Sequence, residues 1–374
     1  MTPYDFAVPG GVNGHVSHLA DQFSKKGHSV QLLAPCSKPI EHINGHPVIP
    51  LGRSLPIPAG GSIAHISFSV WKDRQIRAHL RDEAFDVVHV HEPFMPFLSW
   101  MVVLGSPTVT VGTFHAFNER ARRLLIWKPL LRYTARRLDG RIAVSNAARE
   151  YVSRHYPGEY EIIPNGVDVD HFSAARPRLP ELDDGRLNIL FVGRAEKRKG
   201  LRHLLGAYSR LKWEFPDLRL IVVGPGNPDA DASRVMAERG IDDVVFIGRV
   251  SDDELPGYHR SADIFCSPAI CRESFGLVLL EAMAAGLPVV ATNIAGHAGV
   301  VTHGEQGLLV PPCDEQALID AIRTLINDAA LRRRLGSTGR QMVEDYRWER
   351  VAERVLDYYR SVSARVSSQS ASVT

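Results

Sequence analysis

Residues 187–224 read LNILFVG (187–193), RAEKRKG (194–200), LRHLLGAYSRLKWEFPD (201–217) and LRLIVVG (218–224). Two short apolar runs rich in β-branched residues enclose a glycine-ended basic turn and a helical segment. Such runs have no polar alternation, which marks strands covered on both faces, as in a parallel sheet. Working outward, the unit repeats. VVFIG (244–248), ADIFCS (262–267), LPVVAT (287–292) and QGLLVP (306–311) follow it. SVQLLA (29–34), DVVHVH (86–91), TVTVGTFH (108–115), GRIAVS (140–145) and YEIIP (160–164) precede it. Strand and helix alternate throughout, so the class is α/β with doubly wound sheets.

The 374 residues suit two domains. Residues 173–186 carry prolines and no periodic pattern, which reads as a linker. The boundaries are then 1–172 for an N-terminal domain and 187–345 for a C-terminal one. A helix over about 346–365 crosses back, and 366–374 form a polar tail. Ligands of such sheets sit beyond the carboxyl ends of the strands, so two facing sheets would make a cleft. The glycine loop VPGGV (8–12) comes almost at the start, with no buried strand ahead of it. The first strand therefore reads as missing, with the true start codon upstream.

A net charge of +2 carries no signal for nucleic acid, and no base-stacking module is evident. Cys36, Cys266, Cys271 and Cys313 form no CxxC pair, which speaks against a disulfide framework or zinc site. No signal peptide or run of 18 apolar residues appears. The expectation is a cytoplasmic protein, at most peripheral on the inner face of the plasma membrane.

Two glutamates frame the chemistry. In Arg272-Glu273-Ser274-Phe275-Gly276-Leu277-Val278-Leu279-Leu280-Glu281, helical spacing begins near Phe275, with Ser274 as the cap. Glu281 then lies two turns inside, and eight residues reach about 12 Å. That is about the span from a hexose to the ribose of a nucleotide sugar, with the free amides of the helix start between them to take phosphate oxygens. An arbitrary glutamate pair on a helix would simply be solvated. Upstream, Arg194 and Lys199 sit at a strand-to-helix turn, placed to hold a pyrophosphate. No acidic pair accompanies them, so a divalent metal is not required. A solvated basic loop is the bland alternative.

Taken together, VGRAEKRKG (192–200), ESFGLVLLEAMAAGLPVVAT (273–292) and PNGVDVDHF (164–172) resemble the family-four retaining glycosyltransferases, which have the GT-B fold. The resemblance implies that Arg194 and Lys199 bind the donor phosphates, that Glu273 meets the hexose hydroxyls and that Glu281 meets the ribose. It places the amides of Phe275 and Gly276 against phosphate and sugar. It makes Gly224 a wall of the nucleotide site, and Val250 an edge for the base. PYDFAVPGGVNGHV (3–16), HVHEPFMP (89–96), GTFHAF (112–117) and IAVSNAARE (142–150) look most like the phosphatidylinositol α-mannosyltransferase subgroup. By that likeness Gly10 and Gly11 admit the donor phosphate, His115 bonds the transferred sugar and Tyr4 lies on the acceptor side. A lone histidine after a strand is otherwise a packed core residue.

Residues 118–141 interleave basic and apolar side chains, with Arg120, Arg122, Arg123 and Lys128 among the cations. Residues 71–83 do so more weakly. Both read as elements for an anionic membrane surface, the alternative being an ordinary helix with solvated arginines. Pro129 should break or kink the first. The expected reaction moves a hexose, mannose from GDP-mannose, to a lipid polyol with retention. No tightly bound cofactor is expected. A UDP-sugar transferase with another acceptor, a sugar-nucleotide epimerase and a catalytically impaired membrane-binding homologue are the rival readings.

Overall fold

The computed structural model describes every residue except 60–61, 116–127, 174–176, 227, 229, 242 and 374. The chain forms two compact units. One is Val167–Arg347; the other is Met1–Gly166 together with Trp348–Thr374.

In the Val167–Arg347 unit, six strands make one parallel sheet. Its order is Val244–Gly248, Leu218–Val223, Leu187–Val192, Ile264–Ser267, Val289–Thr292, Gly307–Val310. Counted along the unit this order is 3-2-1-4-5-6, which reverses direction between Leu187–Val192 and Ile264–Ser267. All six residues of Leu218–Val223 are buried, as a strand covered on both faces requires, and the one charged member, Arg219, is paired with Asp184. The helix Leu201–Glu214 lays Leu204, Leu205, Tyr208 and Leu211 on the sheet, each fully buried. Truncating one such leucine costs about 2–5 kcal/mol. Asp314 and Asp328 cap the helices Glu315–Asn327 and Ala329–Met342 by accepting from the Ala317 and Leu331 amides, each cap contributing about 1 kcal/mol.

In the other unit, Val87–His91, Val109–Phe114, Gly140–Ala143 and Glu161–Ile162 form a parallel four-stranded sheet in that order. A three-stranded sheet places His46–Pro50 between Leu32–Ala34 and His42–Ile43. Residues Met1 and Thr2 join the two sheets. The Met1 amine donates to His89 O (2.8 Å), the His91 amide to Met1 O (2.9 Å) and the Thr2 amide to Leu33 O (3.1 Å). A separate hairpin pairs Leu55–Ala59 with Ser62–Ile66. The last helix, Trp348–Val373, packs Trp348, Val351, Ala352 and Val355 against Leu19, Phe23, Val111, Ile142 and Ile163. Its helical backbone continues through residues 366–373, which polar composition alone marks as a tail.

Two strands override local preference. Strands His46–Pro50 and Leu55–Ala59 each carry two prolines, a feature that argues against strand from sequence. Pro129 lies in the described helix Lys128–Arg136; the residues ahead of it, against which a break or kink would be judged, lie outside the described residues. That helix and the turn after it bury Leu131, Thr134, Ala135 and Leu138 and expose Arg132, Arg136 and Arg137. Arg120, Arg122 and Arg123 lie outside the described residues, as does the side chain of Lys128. Among the described residues no helix is long and apolar enough to cross a membrane.

Candidate functional site

The carboxyl ends of strands Leu187–Val192 and Ile264–Ser267 meet at the point where strand order reverses, the place where open parallel sheets receive ligands. Their two following loops are stitched together. The Ile270 amide donates to Arg198 O (2.8 Å). Gly200 adopts φ +72°, and a Cβ there would lie 2.0 Å from Pro268 O. Only glycine permits this approach. A third loop closes in at Gly296, where a Cβ would lie 2.1 Å from Glu273 O.

This stitching brings Lys199 and Glu273 into contact. Glu273 Oε1 accepts from Lys199 Nζ at 2.8 Å and from Arg198 Nη1 at 2.6 Å. Burial alone would raise the Glu273 pKa, but the Lys199 and Arg198 cations outweigh it and hold the carboxyl below its ordinary value. Arg198 also bonds Glu196 at 2.7 Å, and Arg194 lies 3.8 Å from the same carboxylate. The loop thus sets three cations against two carboxylates around a strand end. Arg198 was not singled out from the sequence. Three consecutive basic residues cannot be ranked until the turn is known.

The helix after Glu273 begins at Leu277, not near Phe275. Gly276 precedes it in the left-handed region, φ +82°, and provides no side-chain cap, so Ser274 is not the cap. Glu281 therefore lies one turn inside the helix rather than two. Its Oε2 is closed off from solvent and has no hydrogen-bond partner. Burial, reinforced by Asp252 and opposed by Lys199, pushes its pKa up to about 7. A buried acceptor without a donor costs about 1–3 kcal/mol, so this atom fits a ligand hydroxyl. Phe275 is itself a core side chain near Tyr346. His297, also missed from sequence, is buried beside the site and held by Thr292 O at 3.1 Å. Burial, opposed by Glu273, takes its pKa down to about 4.

Gly224 has φ +144°, and a Cβ on it would lie 2.0 Å from Gly193 O. The visible demand for glycine there is close backbone packing of two strand ends. Val250 is half-buried just beyond the strand Val244–Gly248.

In the other unit, four histidines gather at strand ends. His89 lies in the middle of Val87–His91 and His91 ends it, His115 follows Val109–Phe114, and His15 projects from the helix Gly11–Lys25. His91 Nδ1 and His115 Nε2 are 3.0 Å apart. The His115 amide donates to Glu92 Oε1 at 2.8 Å. Burial lowers the His115 pKa to about 3, with His89 adding to it and Asn165 opposing. His115 is thus a neutral ring within a network rather than an isolated one. The sequence marked His115 but not its partners His15, His91, Glu92 and Asn165, which converge only through the fold.

Gly10 is the N-cap of the helix Gly11–Lys25. A Cβ at Gly10, Gly11 or Gly14 would meet nothing within 4 Å. The protein's own packing does not ask for glycine there; an approaching ligand would. Asp5 braces the preceding loop by accepting from the Ala7 and Ser37 amides and the Ser54 hydroxyl. Tyr4 pairs with Ile66 across the hairpin, and burial together with Glu92 raises its phenol above the ordinary range.

Comparison with known proteins matches residues 9–171 to the sequence family described as Glycosyltransferase Family 4 and residues 176–342 to Glycosyl transferases group 1. A phosphatidyl-myo-inositol mannosyltransferase of Mycobacterium leprae is 38% identical over 364 residues, covering 97% of this chain and 96% of the relative. Among solved structures, sucrose-phosphate synthase of Thermosynechococcus elongatus superposes with a TM-score of 0.78 at 24% identity, covering 98% of each chain. Anabaena HepE in complex with UDP and glucose gives 0.78 at 18% identity, covering 96% of this chain and 98% of that one. These likenesses show the GT-B fold.

Proposed function

We propose, for a chain that belongs to the family-four glycosyltransferases and is a glycosyltransferase of GT-B fold, that it moves mannose from GDP-mannose to the inositol of phosphatidylinositol with retention at the anomeric carbon. The relatives named phosphatidyl-myo-inositol mannosyltransferase support the sugar and the acceptor. One observation carries the donor site: Lys199 and Arg198 share Glu273 at the switch point while Glu281 keeps an unpartnered buried oxygen nearby.

Glu273, already ionised, accepts hydroxyls of the hexose. Glu281 accepts from the ribose. Arg194 and Lys199, with the uncapped start of the helix Leu277–Ala284, stabilise the charge that develops on the departing diphosphate. These cations take the part a divalent ion plays elsewhere, so turnover persists in a chelator. In the other unit, Gly10 and Gly11 give the donor phosphate room, His115 bonds the sugar and Tyr4 faces the acceptor. Gly224 and Val250 border the nucleotide.

The chain works at an anionic membrane face. Val70 and Trp71 are exposed at 52% and 73%, directly before the helix Asp73–Asp82, whose Arg74 and Arg81 are also exposed. Apolar anchors beside cations suit a lipid headgroup layer.

The test is a donor screen with phosphatidylinositol vesicles. Mannosyl transfer from GDP-mannose is expected. Tighter binding of UDP than GDP, or transfer only from a UDP-sugar, overturns the donor assignment.

A further inference from the structure

We infer that Arg272 is a further donor-binding residue, its guanidinium meeting the phosphate that carries the transferred sugar. The inference rests on the donor site proposed above and adds one residue to it. Arg272 stands out first by its backbone, which is left-handed at φ +60°. A bulky side chain rarely enters that region. Neighbouring loops hold the segment on both sides. The Ile270 amide donates to Arg198 O at 2.8 Å, and a Cβ on Gly296 would lie 2.1 Å from Glu273 O. Glycine or asparagine would meet this backbone demand with less strain. An outlier of this kind, kept at a ligand site, points to a task for the side chain.

The side chain is the second, independent observation. Arg272 is half-buried, yet its guanidinium makes no hydrogen bond or ion pair with any described residue. The other cations of these two loops all have a carboxylate. Arg194 lies 3.8 Å from Glu196, and Lys197 bonds Asp231 at 2.8 Å. Arg198 is held by Glu196 and Glu273, and Lys199 by Glu273. A guanidinium that is partly covered and lacks an acceptor is costly. Its position therefore asks for an anion from outside the chain.

Charge says which anion. Around the strand end, Arg194, Arg198 and Lys199 face Glu196 and Glu273, which leaves one positive charge unmatched. The diphosphate of a sugar nucleotide carries two negative charges, and Arg272 supplies the second positive one. Sequence order says which phosphate. Arg272 directly precedes Glu273, the residue placed against the hexose, and the helix Leu277–Ala284 opens just beyond without a side-chain cap. A cation beside the sugar contact meets the phosphate bearing that sugar rather than the one bearing the nucleoside. The planar fork can take two of its oxygens at once.

The test is calorimetric titration of the full chain with GDP, GMP, UDP and UMP. Arg272→Gln removes the charge and keeps the backbone demand; Arg272→Gly removes both. Each should weaken the preferred diphosphate about tenfold and change its monophosphate far less. Arg333→Gln, at an exposed position on the helix Ala329–Met342, leaves all four unchanged. Without ligand, Arg272→Gly should melt no lower than wild type, since it relieves the backbone. Loss of affinity without loss of stability is what a merely structural residue would not give. Diphosphate affinity kept in both variants, or mono- and diphosphate weakened equally, overturns the inference and leaves the donor site standing. Melting that falls in both variants marks a structural residue and overturns it too. A wild-type chain that binds neither diphosphate refutes the donor site, and Arg272 with it.

Discussion

The two units place functional groups at the same topological address and equip them in opposite ways. In Val167–Arg347 the strand ends carry formal charge, with Arg198 and Lys199 held on Glu273. In the unit built on Met1–Gly166 the strand ends carry neutral imidazoles in a hydrogen-bonded cluster. Charges suit a ligand whose own charge grows during reaction, and they are felt at a distance. Buried neutral rings act only on what touches them. The comparison teaches that one fold, used twice in a chain, can carry paired charges at one set of strand ends and neutral contact groups at the other.

The largest effect should come from the charged side. Lys199→Ala removes the cation proposed to meet the developing diphosphate. Turnover should fall by about 10²–10³-fold, read as initial rate at saturating donor with circular dichroism unchanged. Near wild-type rate would remove the distinction between the units.

Glu281→Gln sharpens the same side through pH. The Glu281 pKa is raised from 4.5 to about 7 in the folded chain. Between those values the unfolded chain has released a proton that the folded chain keeps. Stability therefore declines as pH rises from 4.5 to 7 and levels off above, a cost of up to about 3 kcal/mol. The glutamine variant should lack this slope and be the more stable protein at pH 8. Urea melts across that window measure it, and parallel curves for the two proteins would refute the assignment.

Gly296→Ala tests the backbone stitching, since its Cβ would lie 2.1 Å from Glu273 O. Overpacking of this kind costs about 1–3 kcal/mol. It should also raise the KM for donor by displacing Glu273. The smallest effect belongs to the neutral side. Tyr359→Phe deletes one hydrogen bond to His89 Nδ1 and should lower stability by about 1 kcal/mol.

Most of the sheet framework was legible, because short, largely apolar runs such as residues 187–192 and 218–223 have few other uses. Glu273 and Lys199 were marked through motif and spacing, and the fold brings the two side chains together. Their direct ion pair was not, because it depends on Gly200 and Gly296 letting three loops touch. Gly276 was read as turning its amide to phosphate and sugar, whereas its left-handed backbone also sets where the helix starts. The proline-bearing strands were hidden because their pairing is decided by neighbours rather than local preference. The partners of His115 lie at residues 15, 91, 92 and 165, and no local pattern links them.

The return of the last helix has a consequence for synthesis. Trp348, Val351, Ala352 and Val355 complete a core whose other walls are Leu19, Phe23, Val111, Ile142 and Ile163. Residues 167–347 form an uninterrupted unit that can close as soon as it leaves the ribosome. The unit that emerges first must wait, with that core open, until the final segment is made. Domains usually mature in order of appearance; here the one begun first is finished last, and for that interval the nascent chain carries apolar surface that a chaperone would recognise.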